Sequence, residues 1–165
     1  MTETSKDPSE TSEHRTAVSR DLEGRRRTVE NFWQGVDTHD WDLVASTLAD
    51  DFVRVGMRDN AEDTCEGKEA YLRFVSTVTG RMAQHELRSR FTFLSEDGRY
   101  AFNEAVESIR PTPTDDLLVM RFANYLELND EGLIVRLDIF WKTPPYMPPD
   151  WITVDATLER EPRGD

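Results

Sequence analysis

The stretch that decides the fold is Leu117–Lys142, which reads LLVMRFANYLELNDEGLIVRLDIFWK. Apolar and polar residues alternate on both sides of Asn129–Gly132. This pattern predicts two antiparallel strands joined by a hairpin turn, with glycine at the position that needs a positive φ. Alternation predicts a shared face in each strand, made up of Met120, Phe122, Asn124, Leu126 and Leu128 and of Leu133, Val135, Leu137, Ile139 and Trp141. That face is apolar and aromatic except for one amide.

The opposite face of the same two strands mixes charged and aromatic side chains. Its members are Arg121, Ala123, Tyr125 and Glu127 on the first strand and Ile134, Arg136, Asp138 and Phe140 on the second. Oppositely charged residues on neighbouring strands of one face ordinarily form ion pairs. We therefore expect a lattice of ion pairs on this face.

Composition limits the classes of function. The 165 residues, of which 37% are hydrophobic, fit one domain with a sizeable core. A net charge of −13 argues against a nucleic-acid partner and against docking on anionic membranes. No apolar run approaches the roughly 18 residues of a transmembrane span, and the N-terminus lacks the apolar segment of a secretory signal. We expect a soluble cytoplasmic protein.

Signals for a metal or a cofactor are missing from the sequence. Cys65 is the only cysteine, which excludes an intrachain disulfide and a thiolate zinc cluster. The histidines His14, His39 and His85 are scattered, and none stands near a second metal ligand. No glycine-rich phosphate loop is present. The sequence predicts no metal and no cofactor, and His85, at the start of a strand, is a minor candidate for a base.

The first part of the chain is predicted to be helical after a polar start. Residues 1–20 have almost nothing to bury and are predicted to be disordered. Apolar residues in Leu22–Val36 recur with helical spacing, and Arg25–Arg27 within it is interpreted as a solvated helix face. Asp40 is a good N-cap for a second, short helix. A third helix follows Gly67.

Strands are predicted between and after these helices. Phe52–Met57 is a short strand, followed by an acidic loop at Asp59–Glu66. His85–Leu94 and Arg99–Ile109 are longer strands joined by a turn. Pro111–Thr114 breaks the sheet before the final hairpin, because proline cannot donate to a ladder.

These elements predict an α+β fold in which three N-terminal helices pack on a strongly curved, mostly antiparallel sheet and leave a cone-shaped apolar cavity. The domain is predicted to span residues 21–143, between the tail 1–20 and a proline-rich tail, 144–165. Prolines interspersed with Tyr146 and Trp151 suggest an extended segment laid over a surface, and a role as a lid is a hypothesis.

The order of elements and several local phrases resemble the SnoaL-like branch of the nuclear transport factor two-like superfamily. The phrases are Trp41–Asp42, Leu48–Phe52, Glu66–Ala70 and Asn129–Arg136, within a region from about residue 22 to 142. This branch contains polyketide cyclases, ketosteroid isomerases and limonene epoxide hydrolase. The superfamily hosts enzymes and pure binding modules alike, so the phrases imply the fold and leave the chemistry open.

The ketosteroid isomerase resemblance implies three site positions. The family's acidic tyrosine corresponds to Phe32, and its general-base aspartate corresponds to Gly56. Because the loop here is longer, Asp59 is a candidate for that displaced base. The family's protonated aspartate corresponds to Asn124, which donates without needing a shifted pKa.

The epoxide hydrolase and cyclase resemblances imply two further acids. Glu104–Glu107 lies on the hydrolase phrase Glu-Arg-Val-Asp, so Glu107 keeps the acid while Ala105 replaces the arginine. The late aspartate of the cyclases falls at Asp138 if one residue is deleted, and at Ile139 otherwise. No known catalytic set is complete.

The direction that the second long strand faces leaves two carboxyl groups as alternatives. If Asn103 and Glu107 face inward, a carboxyl group sits in an apolar cone, and desolvation would raise its pKa toward the range of a general acid or base. If Phe102 and Glu104 face inward, Glu104 takes that place. The hydrophobicity of Phe102 and Val106 favours the second alternative, and the hydrolase resemblance favours the first, which we prefer.

The leading hypothesis is a cofactor-free acid–base enzyme that acts on a hydrophobic or polycyclic metabolite by isomerisation, cyclisation, dehydration or epoxide opening. Glu107 would transfer the proton and Asn124 would hold a carbonyl or enolate oxygen, with Asp59 and Asp138 as further catalytic candidates. The expected substrate-binding wall is Phe32, Val55, Tyr71, Leu126, Leu137, Ile139, Trp141 and Tyr146.

The second hypothesis is a non-catalytic ligand-binding or dimerisation module with the same fold. Phe32 and Gly56 at the family's catalytic places support it. The mixed outer face of the sheet is similar to the sheet-to-sheet dimer surface common in the superfamily, so a homodimer through that face is expected.

Overall fold

Three α-helices and a six-stranded sheet make up residues 8–142, the part of the chain that this computed structural model describes, with side chains from residue 21 onward. The helices are α1 (Pro8–Thr38), α2 (Trp41–Thr47) and α3 (Lys68–Gly80). The strands are β1 (Leu48–Val55), β2 (Thr64–Glu66), β3 (Gln84–Leu94), β4 (Tyr100–Arg110), β5 (Leu118–Leu128) and β6 (Ile134–Trp141). A single 3₁₀ turn, Ala61–Asp63, precedes β2. The α+β class is confirmed.

The helices form for the reasons that the sequence predicted, although their limits differ. Val29, Phe32 and Val36 lie on the buried face of α1. The helix begins at Pro8, well before Leu22, where the pattern placed its start. Asp40 caps α2, since its Oδ1 accepts the backbone N–H of Leu43 at 2.9 Å. None of the helices described within residues 8–142 has both the length and the apolar character needed to cross a membrane.

The arrangement of three helices ahead of the sheet is not confirmed, because β1 and β2 lie between α2 and α3. The segment predicted as an acidic loop contains β2, which pairs antiparallel with β1 from Val53 opposite Glu66 to Val55 opposite Thr64. A three-residue strand has no alternation long enough to be recognised in a sequence.

The sheet is mixed, with strand order β2-β1-β6-β5-β4-β3. β3 to β6 form the four long antiparallel strands that the sequence predicted, and β1 joins β6 in parallel. In this parallel pairing Leu48 lies opposite Ile134 and Val55 lies opposite Asp138. The residues of β1 thereby share one surface with those of the final hairpin.

Alternation in β5 is confirmed, with Phe122, Asn124, Leu126 and Leu128 all buried. In β6 the pattern changes at a bulge. Leu128 pairs with Ile134 while the adjacent Glu127 pairs with Arg136, so the register skips one residue. Ile134, expected on the outer face, is therefore fully buried.

Arg25 corrects the interpretation of the basic run as a solvated face. Its side chain is buried, and its guanidinium donates to the backbone oxygens of Gly98 at 3.5 Å, Asn129 at 2.8 Å and Asp130 at 3.1 Å. Two hairpin turns are thus tied to α1 by one side chain.

The close approach of α1 and α2 depends on Gly35. A Cβ at this position would lie 2.7 Å from Val44 Cγ2 and 3.0 Å from the Asp40 carbonyl oxygen. Gly35→Ala is therefore expected to lower the free energy of unfolding by about 1–3 kcal/mol, the usual cost of overpacking. Urea unfolding measures it.

Gly24 on the same helix is the matched control, because a Cβ there meets nothing within 4 Å. Gly24→Ala is expected to stabilise the protein by about 0.5–1 kcal/mol through helix propensity. Equal effects of the two substitutions would contradict the packing argument.

Candidate active site

A cavity of about 430 Å³ lies between the helices and the inner face of the sheet. Its lining is mainly apolar and comes from α1, β1, α3 and β3 to β6. Four of the residues predicted as its wall line it, namely Tyr71, Leu137, Ile139 and Trp141.

Three other predicted wall residues are not among the lining. Phe32 and Leu126 are fully buried in the core, and Trp33, the next residue along α1, lines the cavity instead of Phe32. Val55 borders a separate surface depression. Tyr146 and the expected lid lie outside the described residues.

Glu107 faces the cavity, which resolves the alternatives left by the sequence. It shares its side of β4 with the fully buried Asn103 and Ala105. Glu104 lies on the opposite side, where it is also buried but forms ion pairs with Lys142 and Arg90. The hydrogen bond from Lys142 is the main reason that the pKa of Glu104 lies below its ordinary value.

Glu107 ends a chain of three titratable side chains. His85 Nε2 lies 2.9 Å from Glu107 Oε1, and His39 Nε2 lies 2.9 Å from His85 Nδ1. The His85 side chain is 1% exposed and that of Glu107 is 20% exposed. No local pattern in the sequence indicates this cluster, since His39 and His85 are 46 positions apart.

Asn124 lines the cavity and is held by a second amide. Its Nδ2 donates to Asn103 Oδ1 at 3.3 Å. Asn103 Nδ2 is fixed in turn by Ser89 Oγ at 2.7 Å, the Phe91 carbonyl at 2.9 Å and Thr92 Oγ1 at 3.2 Å. This anchoring leaves the Asn124 carbonyl oxygen and one N–H for a ligand.

Arg54 and Asp63 also line the cavity, and the sequence reasoning missed both. Arg54 Nη1 donates to Asp63 Oδ1 at 2.9 Å and to its carbonyl oxygen at 3.0 Å, and the guanidinium lies 4.9 Å from the centre of the Phe74 ring. Alternation in β1 places Arg54 on the same side as the buried Phe52, a signal that was available.

Two pKa shifts follow from this environment. Burial acts to raise the pKa of Asp63, but the hydrogen bond from Arg54 and the backbone N–H of Arg58 outweigh it and hold the pKa below its ordinary value. Burial raises the pKa of Tyr71 far above its ordinary value. Asp63 is thus an ionised partner of Arg54, and Tyr71 is a neutral hydroxyl.

Two indole groups add unused donors to the lining. Within the described side chains, Trp33 Nε1 and Trp141 Nε1 are buried and have no hydrogen-bond partner. A buried donor without a partner costs about 1–3 kcal/mol.

Two predicted catalytic acids do not line the cavity. Asp59 is exposed and borders the surface depression beside Val55. Asp138 lies on the outer face, where Arg136 of the same strand holds it through two hydrogen bonds of 2.7 Å and 2.9 Å. This ion pair runs along β6 and does not join neighbouring strands as the expected lattice would. No group of three or more His, Cys, Asp and Glu among the described residues is arranged to hold a metal ion.

Solved structures with the same fold include three proteins with names that describe an activity. An LEH-like epoxide hydrolase from M. tuberculosis is 18% identical, with 72% of this chain and 83% of that chain covered and a TM-score of 0.61. A putative ketosteroid isomerase from Kribbella flavida is 20% identical (77% and 84% covered, TM-score 0.60). A putative polyketide cyclase from Xanthomonas campestris is 16% identical (74% and 93% covered, TM-score 0.60).

These likenesses, at 16–20% identity, show that this chain shares its α+β fold with the three proteins. Residues 29–137 match the SnoaL-like domain, and the chain belongs to that family. The resemblance seen in the sequence is confirmed. No protein with a curated description matches the sequence.

The ketosteroid isomerase resemblance aligns Gly56 with a general-base aspartate, and the side chain of another residue fills the space beside this glycine. A Cβ at Gly56 would overlap the carboxylate of Asp63, so Asp63 occupies the space that a side chain at position 56 would enter. The carboxylate beside Gly56 is therefore that of Asp63, whereas Asp59 borders the surface depression. The ion pair with Arg54 makes Asp63 a poor base.

Asp63→Asn is expected to lower the free energy of unfolding by about 1.5–3 kcal/mol at neutral pH, because Arg54 loses its charged partner. The pKa of Asp63 is lowered on folding, so its stabilisation is present above the pKa of the unfolded chain and is lost as the pH falls through the folded pKa. The difference between wild type and variant, measured by urea unfolding, should shrink below about pH 4.

Asp50→Asn is the control, because Asp50 is exposed and pairs with Lys68 at the surface. It should change stability little at any pH. A wild-type advantage over Asp63→Asn that does not vary with pH would contradict the assignment.

Proposed function

We propose that this protein binds a small, largely apolar molecule in the cavity and catalyses proton transfer on it, with Glu107 as the general acid or base. One observation carries the proposal. A carboxyl group that is hydrogen-bonded to a buried histidine lies in the wall of an otherwise mainly apolar cavity. Structural cores rarely hold such a group, because burying it costs free energy.

Asn124 and Arg54 supply the complementary roles. The free N–H of Asn124 can hold a carbonyl or enolate oxygen, and its orientation is set in advance by Asn103. Arg54 adds a positive charge at the lining, which favours a substrate that carries or develops negative charge. The reaction class is then enolisation-type chemistry or opening of a strained ring, that is, isomerisation, cyclisation, dehydration or epoxide opening.

A non-catalytic ligand-binding module is the alternative. It is favoured by two positions at which the chain departs from the family's enzymes. Phe32 is buried in the core where the family has an acidic tyrosine, and the Asp63 carboxylate beside Gly56 is bound to Arg54. A binding module would keep the cavity and its donors and would need no turnover.

Glu107→Gln is expected to reduce turnover at least about 100-fold while leaving ligand binding unchanged, since the amide keeps the shape and loses the transferable proton. Turnover is measured by mass spectrometry on a panel of ketones, epoxides and polyphenols. Binding is measured with N-phenyl-1-naphthylamine, a neutral probe that fluoresces in apolar sites.

Glu104→Gln is the matched control, because Glu104 is a buried acid of the same strand that faces away from the cavity. It should keep turnover. Full activity in Glu107→Gln would exclude the catalytic role, and probe binding without turnover of any compound by the wild type would favour the binding module.

We further propose a homodimer through the outer face of the sheet. This face carries large exposed rings on β3, β4 and β6, namely Phe93 at 63% exposure, Phe102 at 40% and Phe140 at 57%. Monomeric proteins rarely expose apolar patches of this kind. The ion pair of Arg136 and Asp138 on the same face offers charge of both signs to a second copy.

Phe102→Glu is expected to shift the dimer toward monomer by at least tenfold in dissociation constant, because it buries an unpaired charge in the interface. Sedimentation velocity over a concentration series measures it. Thr77→Glu, exposed on α3, adds the same charge away from this face and should leave the association unchanged. A wild type that is monomeric at all concentrations would refute the dimer.

A further inference from the structure

We propose that His39 and His85 form a proton relay that connects Glu107 to solvent when a ligand fills the cavity. The proposal rests on the proposed role of Glu107 and extends it, since it names how that group is recharged between turnovers. The two hydrogen bonds of 2.9 Å run without a gap from the cavity wall to the surface.

The burial of the three groups is graded along this path. Glu107 lies in the cavity wall, the His85 side chain is almost fully enclosed, and His39 is exposed. An apolar ligand in the cavity displaces the water that would otherwise reach Glu107 from that side. The path through His85 then remains as the route to solvent.

Hydrogen-bonding capacity sets the direction of the relay. An ionised carboxylate only accepts, so His85 carries its proton on Nε2 and presents Nδ1 as an acceptor to the Nε2–H of His39. When a proton from water binds His39 Nδ1, the Nε2 proton of His39 can move to His85 Nδ1. His85 in turn gives its Nε2 proton to Glu107. One proton enters, one is delivered, and both rings end neutral in the other tautomer.

The reversed tautomers carry a proton outward. Protonated Glu107 now donates to His85 Nε2, and each Nδ1 holds a hydrogen. Protonated Glu107 gives its proton to His85 Nε2, the Nδ1 proton of His85 moves to His39 Nε2, and the Nδ1 proton of His39 leaves to water. This transfer restores the carboxylate and the first pair of tautomers, so the relay can carry a proton in either direction.

The position of His39 is held by an unusual backbone. His39 has φ of 57°, in the left-handed region that few side chains other than glycine adopt. Its ring stacks on Trp41 with 5.5 Å between centroids and an angle of 12°. The ring is thus fixed over His85, with its centroid 5.0 Å away.

Neighbouring titratable groups do not replace this path. Tyr71, which also lines the cavity, holds its proton because burial raises its pKa. Asp63 is bound to Arg54. Asp37 on α1 accepts the backbone N–H of Leu87 at 2.8 Å.

His39→Gln tests the relay without a substrate. The glutamine amide can still donate to His85 Nδ1, but it cannot accept a proton and pass on another. Exchange of the His85 Nε2–H with water, measured by nitrogen-15 NMR on protein saturated with N-phenyl-1-naphthylamine, is expected to slow at least tenfold. A merely structural role of His39 predicts no change, because the hydrogen bond is kept.

Exchange of the Leu87 backbone N–H is the internal control for local opening and should not change. His39→Asn, which tolerates the left-handed backbone, is the second variant and should slow the exchange as well. Unchanged His85 exchange in a folded variant overturns the relay. If the probe does not bind, the proposed cavity function fails and the relay fails with it, whereas unchanged exchange with the probe bound overturns the relay alone.

Discussion

The structure depends on one constraint, which is that the carboxyl, amide and guanidinium groups lining the apolar cavity must each be held by another polar group. Unpaired burial of any of these three groups would cost several kcal/mol. Each is joined to a polar side chain. The pairs are Glu107 with His85, Asn124 with Asn103, and Arg54 with Asp63.

The register of β3, β4 and β5 makes these pairings possible. Asn103 lies opposite Asn124 across β4 and β5, and Leu87 lies opposite Glu107 across β3 and β4. The register of β3 shifts between Ser89 and Phe91, so Arg90 is an extra residue. Three acceptors from this bulge therefore converge on Asn103, and the amide that faces the ligand is rigid before any ligand arrives.

Rigid polar groups in a mainly apolar site are what acid–base catalysis requires, because they stabilise developing charge without first reorganising. The same arrangement suits a tight binding site. The two functions differ in whether protons must move between Glu107 and solvent. A binding module has no use for a path from a buried carboxyl to water, whereas an enzyme that cycles between acid and base forms needs one.

Much of the fold was predictable because alternation is a local property. The hairpin of β5 and β6, the cap at Asp40 and the inward direction of Asn124 all follow from residues close in sequence. Predictions were wrong where residues distant in sequence determine the environment of a side chain. Arg25 was interpreted as solvated, yet two distant turns supply carbonyl oxygens that make its burial favourable.

The features of the candidate site likewise separate into those that local sequence patterns predict and those that they do not. The sequence by itself determined the α+β class and the apolar inner face, because side-chain period and strand length are encoded residue by residue. The preference for Glu107 over Glu104 came from the resemblance to the epoxide hydrolases, against the hydrophobicity of Phe102 and Val106. Only the tertiary structure decided that His39 meets His85 and that Asp63 fills the space beside Gly56. These contacts depend on how the turn after α1 packs over β3 and on how the loop after β1 folds back. No local sequence pattern encodes the distance between separate elements.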